Sequence, residues 1–494
     1  MLVTLYRPSL SLLTDLYQLT MAQAGFKLGL AEREAVFSLH FRKHPFAGGY
    51  TVAAGLSEAL EWLSLFAPDQ DDLTYLAGLP SAGGGRLFSP PFLDWLSAQR
   101  LSLDIDAVPE GRVVFPHEPV VRVRGPLWQG QLVETALLTI INFQSLIATK
   151  AARICAAAQG DAVVDFGLRR AQGVDGSLSA TRAAYIGGVA ATSNTLAGRL
   201  LGIPVRGTHA HSWVMSFRDE QEAFSAYAAA MPDDTLLLVD TYDTLDGVRK
   251  AVRVGLELRR SGHRLLGIRL DSGDLAFLSR QARAMLDEAG LHDASIVASN
   301  DLDEHTIESL KGQGARIDTW GVGTRLITAH DQPALGGVYK LTALREADGW
   351  RPVVKASEHT AKASVPGVLA VRRFSRDGQF IGDMIHDETD PATTESAVIV
   401  HPAEPLRRRA LAGPSEPLLK PVMRAGTIVP DFNRDASSLA AARARCADDL
   451  ARLDPACRRL LNPHEYPAGL ELSLHDRRTR MILDARGRTT MEAM

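Results

Sequence analysis

The chain of 494 residues predicts an α/β fold: an incomplete TIM-like α/β barrel joined to a second α+β domain. Two observations predict it. Between Ala162 and Leu344, short unbroken apolar runs alternate with helical stretches, which is the rhythm of successive βαβ units. Each run then ends in polar and glycine residues. Continuous apolar runs mark strands covered on both faces, and folds built of such strands bind ligands at the strands' carboxyl ends.

The predicted strands follow in order. Ala162–Phe166 ends in Gly167-Leu168-Arg169-Arg170, and Ile203–Val205 in Arg206-Gly207-Thr208-His209-Ala210-His211. Thr235–Val239 ends in Asp240-Thr241-Tyr242-Asp243, and Leu265–Ile268 in Arg269-Leu270-Asp271-Ser272-Gly273-Asp274. Ile296–Ala298 ends in Ser299-Asn300-Asp301, and Ile317–Trp320 in Gly321-Val322-Gly323-Thr324. Helical stretches fall between them: Arg182–Leu200, Thr244–Arg260, Leu275–Ala289 and His305–Gly312. An open doubly wound sheet is the alternative, but no glycine-rich dinucleotide fingerprint follows a strand.

Outside the barrel the pattern is mixed. Residues 1–135 read as an N-terminal α+β domain. In it are a helix from Thr14 stopping at Gly25, a strand over Ala35–Phe41, a helix over Leu56–Phe66, and a hairpin pairing Arg112–Phe115 with Pro119–Val123. Residues 136–345 form the barrel domain, entered through a helix over Gln131–Ala158. Residues 346–494 read as strands returning to the N-terminal domain (Val368–Phe374, Ala397–Val400, Gly426–Val429) and a terminal helix over Asp435–Leu461.

Composition narrows the class. Hydrophobic residues at 46% and charged residues at 23% are ordinary for a globular protein, and a net charge of −4 favours neither nucleic acid nor an anionic membrane as partner. Three cysteines give neither a disulfide framework nor zinc spacing, which fits a reducing cytoplasm. The N-terminal leucines are interrupted by Arg7, Pro8 and Asp15, so no signal peptide or membrane span is expected there.

Chemistry concentrates at the strand tips. Phe166 beside Arg169 and Arg170 suits a flat anionic ring, although an aromatic plug with surface arginines is an equal reading. His209 and His211 are candidates for acid, base or nucleophile, and no third zinc ligand follows them. Asp240, Asp243 and Asp246 could hold a divalent cation, but the last two suit a helix cap better. Arg269, Asp271, Ser272, Gly273 and Asp274 place one cation and two carboxylates around a glycine turn, more charge than a cap requires. Gly321-Val322-Gly323-Thr324 closes a late strand, where barrels commonly bind phosphate.

Read together, these strings resemble the nicotinate phosphoribosyltransferases, type II phosphoribosyltransferases. The strings that carry it are Thr14–Met21, Phe166–Gly173, Ser193-Asn194, Gly207-Thr208 with Ala210-His211, Arg269–Asp274, Gly321–Thr324 and Gly336–Leu341. The resemblance implies transfer of a phosphoribosyl group from 5-phosphoribosyl-1-pyrophosphate to nicotinate, giving nicotinate mononucleotide and pyrophosphate in NAD salvage. It implies coupling to ATP hydrolysis through phosphorylated His211, with Mg²⁺ on the leaving pyrophosphate. It assigns nicotinate to Tyr17, Phe166, Thr208 and Arg269, and the phosphates to Arg169, Asp271, Ser272, Gly273, Gly323 and Thr324. It implies that Asp271 faces the ribosyl cation and is catalytic with His211, and that Tyr17 comes from the neighbouring subunit of a homodimer. By the same resemblance Asn194 stands where nicotinamide-using relatives carry an acid, so the pair Ser193-Asn194 argues for the acid substrate. The metal ligands and the adenine site stay unassigned. The competing readings are a nicotinamide or quinolinate phosphoribosyltransferase, a barrel aldolase (which would want a strand-tip lysine) and a non-catalytic sensor.

Overall fold

The computed structural model describes residues 9–357, 363–390, 396–430, 432 and 438–492. It divides into two compact units, Met1–Leu146 with Ala334–Met494, and Ile147–Pro333. Residues 136–146 and 334–345 therefore lie with the first unit.

The second unit holds six parallel strands: β1 (Ala162–Asp165), β2 (Ala191–Thr192), β3 (Leu236–Leu238), β4 (Gly267–Leu270), β5 (Ser295–Asn300) and β6 (Thr319–Val322). Their order is β2-β1-β6-β5-β4-β3. That is the cyclic order of a barrel opened between β2 and β3, and not the order of a doubly wound sheet. Five of the six strands, all but β2, fall on predicted apolar runs, and Val163, Leu237, Ile268, Ile296 and Trp320 are buried.

Two predicted elements change here. The helix expected over Arg182–Leu200 is broken into Val174–Ile186, β2 and Thr195–Leu201. Gly187-Gly188 breaks it: Gly188 has φ +115°, and a Cβ on Gly187 would lie 2.3 Å from the Ala148 carbonyl oxygen. The strand expected over Ile203–Val205 shrinks to a single bridge between Val205 and Thr192, because β2 already occupies that edge.

The first unit is built on two large sheets and one two-stranded pair. Seven strands run Gly349–Pro352, Val338–Glu346, Glu34–His40, Val121–Pro126, Asp104–Ala107, Lys420–Arg424 and Thr427–Ile428. The C-terminal strand Lys420–Arg424 pairs with Asp104–Ala107, so the chain does return to the N-terminal sheet. A second sheet of six strands gathers Leu369–Arg376, Gln379–Asp387 and their neighbours. The predicted hairpin is absent: Val113–Val114 pairs with Thr51–Val52, while Val121–Pro126 pairs with Glu34–His40. The first helix runs through Gly25 to Leu28 and stops at Gly29 (φ 68°), which takes the left-handed cap. The start of the predicted helix Asp435–Leu461 lies outside the described residues, and the observed helix is Leu439–Arg452.

Candidate active site

The strand tips of the second unit converge on Arg269, at the end of β4. Its Nε donates to Ser299 Oγ (2.7 Å), Nη1 to Thr208 Oγ1 (3.0 Å) and Nη2 to Asp271 Oδ1 (2.8 Å). Its guanidinium carbon lies 5.3 Å from the centroid of the Phe166 ring. A mostly buried cation beside an aromatic face is thus fixed by residues from three strand tips.

Asp271 is held equally firmly. Oδ1 accepts from both Arg269 and Ser299, and the backbone N–H of Asp271 donates to Asp240 Oδ2 (2.9 Å). Burial raises the carboxyl's pKa, but the Ser299 hydroxyl and the Arg269 charge outweigh it and hold the group below the ordinary aspartate value. Oδ2 stands 3.7 Å from His211 Nε2. His211 opens a short helix, His211–Met215, with Nδ1 3.1 Å from Thr241 Oγ1.

His209 has a structural position. Its Nε2 accepts from the Leu238 backbone N–H (3.2 Å), its ring lies 4.9 Å from that of Tyr227, and burial lowers its pKa. Asp243 caps Thr244–Arg260 by accepting from Asp246 N, and Asp246 pairs with Lys250 at 2.7 Å, so both are occupied locally. Asp274 caps Leu275–Glu288 through Phe277 N.

Two clefts share these residues. One, of about 300 Å³, is lined by Phe166, Ser193, Thr208, His211, Arg269 and Asp271 among others. The other, of about 260 Å³, adds Arg170, Asn300, Gly323 and Thr324. Phe166, Arg169, Arg269 and Asp271 line both. An aromatic compartment with a cation therefore opens into a polar one rimmed by arginines and a glycine turn.

Not every predicted residue faces a cleft. Asn194 is buried and caps Thr195–Leu201 through Ala197 N, while Ser193 lines the aromatic cleft. Ser272 turns its hydroxyl to Asp240 Oδ2 (2.5 Å), and Gly273 (φ +78°) makes the turn that permits it. Tyr17 belongs to the first unit, half exposed on the helix Leu16–Leu28 with its hydroxyl accepting from Gln18 Nε2 (3.1 Å). Burial and the neighbouring Glu134 carboxylate raise its pKa.

Three residues that the sequence reading left without a role shape the site. Ser299 joins Arg269 to Asp271. Asn300, in the polar cleft, holds φ 129°, which costs a non-glycine residue about 1–3 kcal/mol and is typical of strained functional positions. Asp165, fully buried, accepts from Gly167 N, Thr181 Oγ1 and Thr192 Oγ1, and so anchors the Phe166–Arg170 turn. Only the position of Ser299 and Asn300 at a strand tip hinted at any of them.

A barrel sheet with cations, a carboxylate and a histidine gathered on its strand tips defines an α/β-barrel enzyme that handles an anionic ring together with phosphate. Comparison narrows this. Residues 12–142, 162–372 and 369–478 match the N-terminal domain, the family and the C-terminal domain of nicotinate phosphoribosyltransferase. A nicotinate phosphoribosyltransferase of Bacillus subtilis is 49% identical over 74% of this chain and 73% of its own. One of Mycobacterium tuberculosis is 41% identical over 93% of this chain and 91% of its own. The crystal structure of human nicotinic acid phosphoribosyltransferase superposes with a TM-score of 0.81 at 32% identity, covering 95% of this chain and all of that one. The chain belongs to the nicotinate phosphoribosyltransferase family. No helix among the described residues is long and apolar enough to cross a membrane.

Proposed function

We propose that this enzyme joins nicotinate to 5-phosphoribosyl-1-pyrophosphate, giving nicotinate mononucleotide and pyrophosphate, the entry of nicotinic acid into NAD salvage. The observation that carries the reading is the Arg269 guanidinium set beside the Phe166 ring in a compartment that shares Asp271 with a phosphate-suited cleft. Nicotinate's carboxylate pairs with Arg269 and its ring lies on Phe166, with Thr208 orienting the guanidinium and Ser193 on the cleft wall. Arg169 and the Gly323-Thr324 turn receive the ribose phosphate. As the C1–oxygen bond to pyrophosphate breaks, positive charge develops on the ribosyl carbon, and the Asp271 carboxylate opposes it while the pyridine nitrogen attacks.

ATP enters as co-substrate: His211 accepts its γ-phosphoryl group and links hydrolysis to turnover. Among the described residues no cluster of three or more His, Cys, Asp or Glu has metal-holding geometry, so Mg²⁺ would arrive on the phosphate oxygens of the substrates. A homodimer, with Tyr17 covering the nicotinate ring of its neighbour, and a cytoplasmic location complete the reading. The test is pyrophosphate release with nicotinate or nicotinamide as acceptor, with and without ATP. Release with nicotinate alone, accelerated by ATP, is expected, and equal rates with the amide would overturn the assignment of Arg269.

A further inference from the structure

Asp240 lies two residues beyond β3 with its side chain almost wholly buried, yet only one of its oxygens is used. Oδ2 accepts from Asp271 N (2.9 Å) and Ser272 Oγ (2.5 Å). Oδ1 has no hydrogen-bond partner. Leaving a buried carboxylate oxygen unpaired is costly, and such an oxygen is retained where a charge or proton will meet it. The group it faces is His211, whose Nε2 lies 4.0 Å away. Among the described residues His211 is the only cation-forming side chain within ion-pairing distance of Asp240. Asp271 is slightly nearer to the ring, at 3.7 Å, but Arg269 already compensates its charge.

From this juxtaposition we propose that Asp240 is the positioning residue of the phosphoryl-transfer half of the reaction: it fixes the tautomer of His211 and opposes the charge that His211 acquires. The proposal rests on His211 being the phosphoryl acceptor. With carboxylates facing Nε2, the imidazole proton is held there, and a lone pair on that nitrogen would be repelled. The lone pair is therefore on Nδ1, where the Thr241 hydroxyl steadies it. In the transfer step that lone pair forms the N–P bond to the γ-phosphorus of ATP, and the bond from that phosphorus to the β,γ-bridging oxygen breaks. ADP leaves with the electron pair. The ring keeps its Nε2 proton and becomes a cation, which Asp240 Oδ1 opposes. Hydrolysis by water later returns phosphate and the neutral ring. An aspartate behind a histidine acts in this way in hydrolytic triads, where losing the carboxylate mainly costs the correct tautomer.

Asp240→Asn is a discriminating change. The amide oxygen can still accept from Asp271 N and Ser272 Oγ, while the amide N–H would face His211 Nε2 and reverse its tautomer. Acid-labile phosphoenzyme formed from ATP should drop by about 10²-fold or more relative to ATP-independent ribosyl transfer in the same protein. Equal losses in the two rates would overturn the proposal, as would full phosphorylation. If the unsubstituted enzyme forms no phosphoenzyme, it is the acceptor role of His211 that fails. ¹⁵N spectra of histidine-labelled unsubstituted enzyme, with the His211 signal identified by its loss in His211→Asn, give a second reading that needs no Asp240 variant. A proton on Nε2 is expected, and one on Nδ1 sinks the proposal.

Discussion

Gly321 lies against the ring of Phe166: a Cβ at Gly321 would stand 2.4 Å from Phe166 Cε2 and 2.5 Å from Cδ2. The Phe166 backbone N–H is bonded across to the Val322 carbonyl (2.9 Å), so the ring cannot retreat by sliding its strand. Glycine at Gly321 thus sets where the aromatic face lies, and with it the distance to Arg269.

Gly321→Ala should therefore push the ring into the nicotinate cleft. A misplacement of about 1 Å at a reacting pair can cost 10²-fold, so a tenfold or larger rise in KM for nicotinate is expected, with a smaller change for the ribosyl donor. Overpacking of this kind costs about 1–3 kcal/mol of stability. Steady-state kinetics with each substrate varied, beside a thermal melt, separates the two effects. An unchanged KM for nicotinate would remove Phe166 from the site.

Barrel strands and tip chemistry were legible because a strand buried on both faces leaves a continuous apolar run, and a ligand-binding tip must break it. Arg269, Asp271 and Phe166 converge as that pattern implies. Less legible was anything depending on partners distant in sequence. The two-residue strand Ala191–Thr192 carries too short a signal to show inside an apolar helical stretch, and it displaces the predicted run at Ile203–Val205. The hairpin at Arg112–Val123 failed for a similar reason, since turn chemistry is local but each strand found a better partner elsewhere. Ser299 and Asp165 are ordinary residues until β4, β5 and the Phe166–Arg170 turn bring their partners within 3 Å.

Arg269→Ala should raise KM for nicotinate strongly. Removing one partner of a buried pair typically costs about 3–5 kcal/mol. The structure adds a second consequence: Asp271 loses the charge that counters its burial, so its pKa should rise. The low-pH limb of kcat/KM should then move to higher pH. Equal losses in KM for nicotinate and for the ribosyl donor, with no movement of that limb, would point to a purely structural arginine.

Acid should weaken the first unit through its buried histidines. Burial, then repulsion by His117, Arg42 and Lys340, lowers the pKa of His40 to about 3. Above about pH 6.5 neither the folded nor the unfolded state binds this proton, so His40 contributes no pH dependence. Below it the unfolded chain takes up a proton that the fold refuses, and stability is lost at about 1.4 kcal/mol per pH unit until the folded pKa is reached. His44 and His117 act in the same direction. The melting temperature should fall between pH 7 and pH 5, and less steeply in His40→Gln. Parallel slopes in the two proteins would show that His40 is not protected from protonation.

The proposed sharing of one site by Tyr17 of one subunit and Asp271 of its neighbour predicts complementation. Tyr17→Ala and Asp271→Ala should each be nearly inactive alone. Mixed dimers contain one site with both native residues, so unfolding and refolding the two together should restore part of the activity. Mixed dimers that form, as shown by differential tagging, yet stay inactive would place Tyr17 outside the neighbour's site.

The two histidines at the tip before β3 should separate cleanly. The pyridine nitrogen is already a nucleophile, so ribosyl transfer needs no histidine base, whereas linking ATP hydrolysis to turnover needs a phosphoryl acceptor. His211→Asn keeps much of the shape and loses that nucleophile; ATP hydrolysis and the acid-labile phosphoenzyme should vanish while slow ATP-independent transfer persists. His209 instead accepts from the Leu238 backbone within a buried aromatic setting. His209→Asn should leave the phosphoenzyme and ribosyl transfer largely intact, and strand that N–H at a cost of about 1–3 kcal/mol, read as a lower melting temperature. A phosphoenzyme that survives in His211→Asn and disappears in His209→Asn would exchange the two roles.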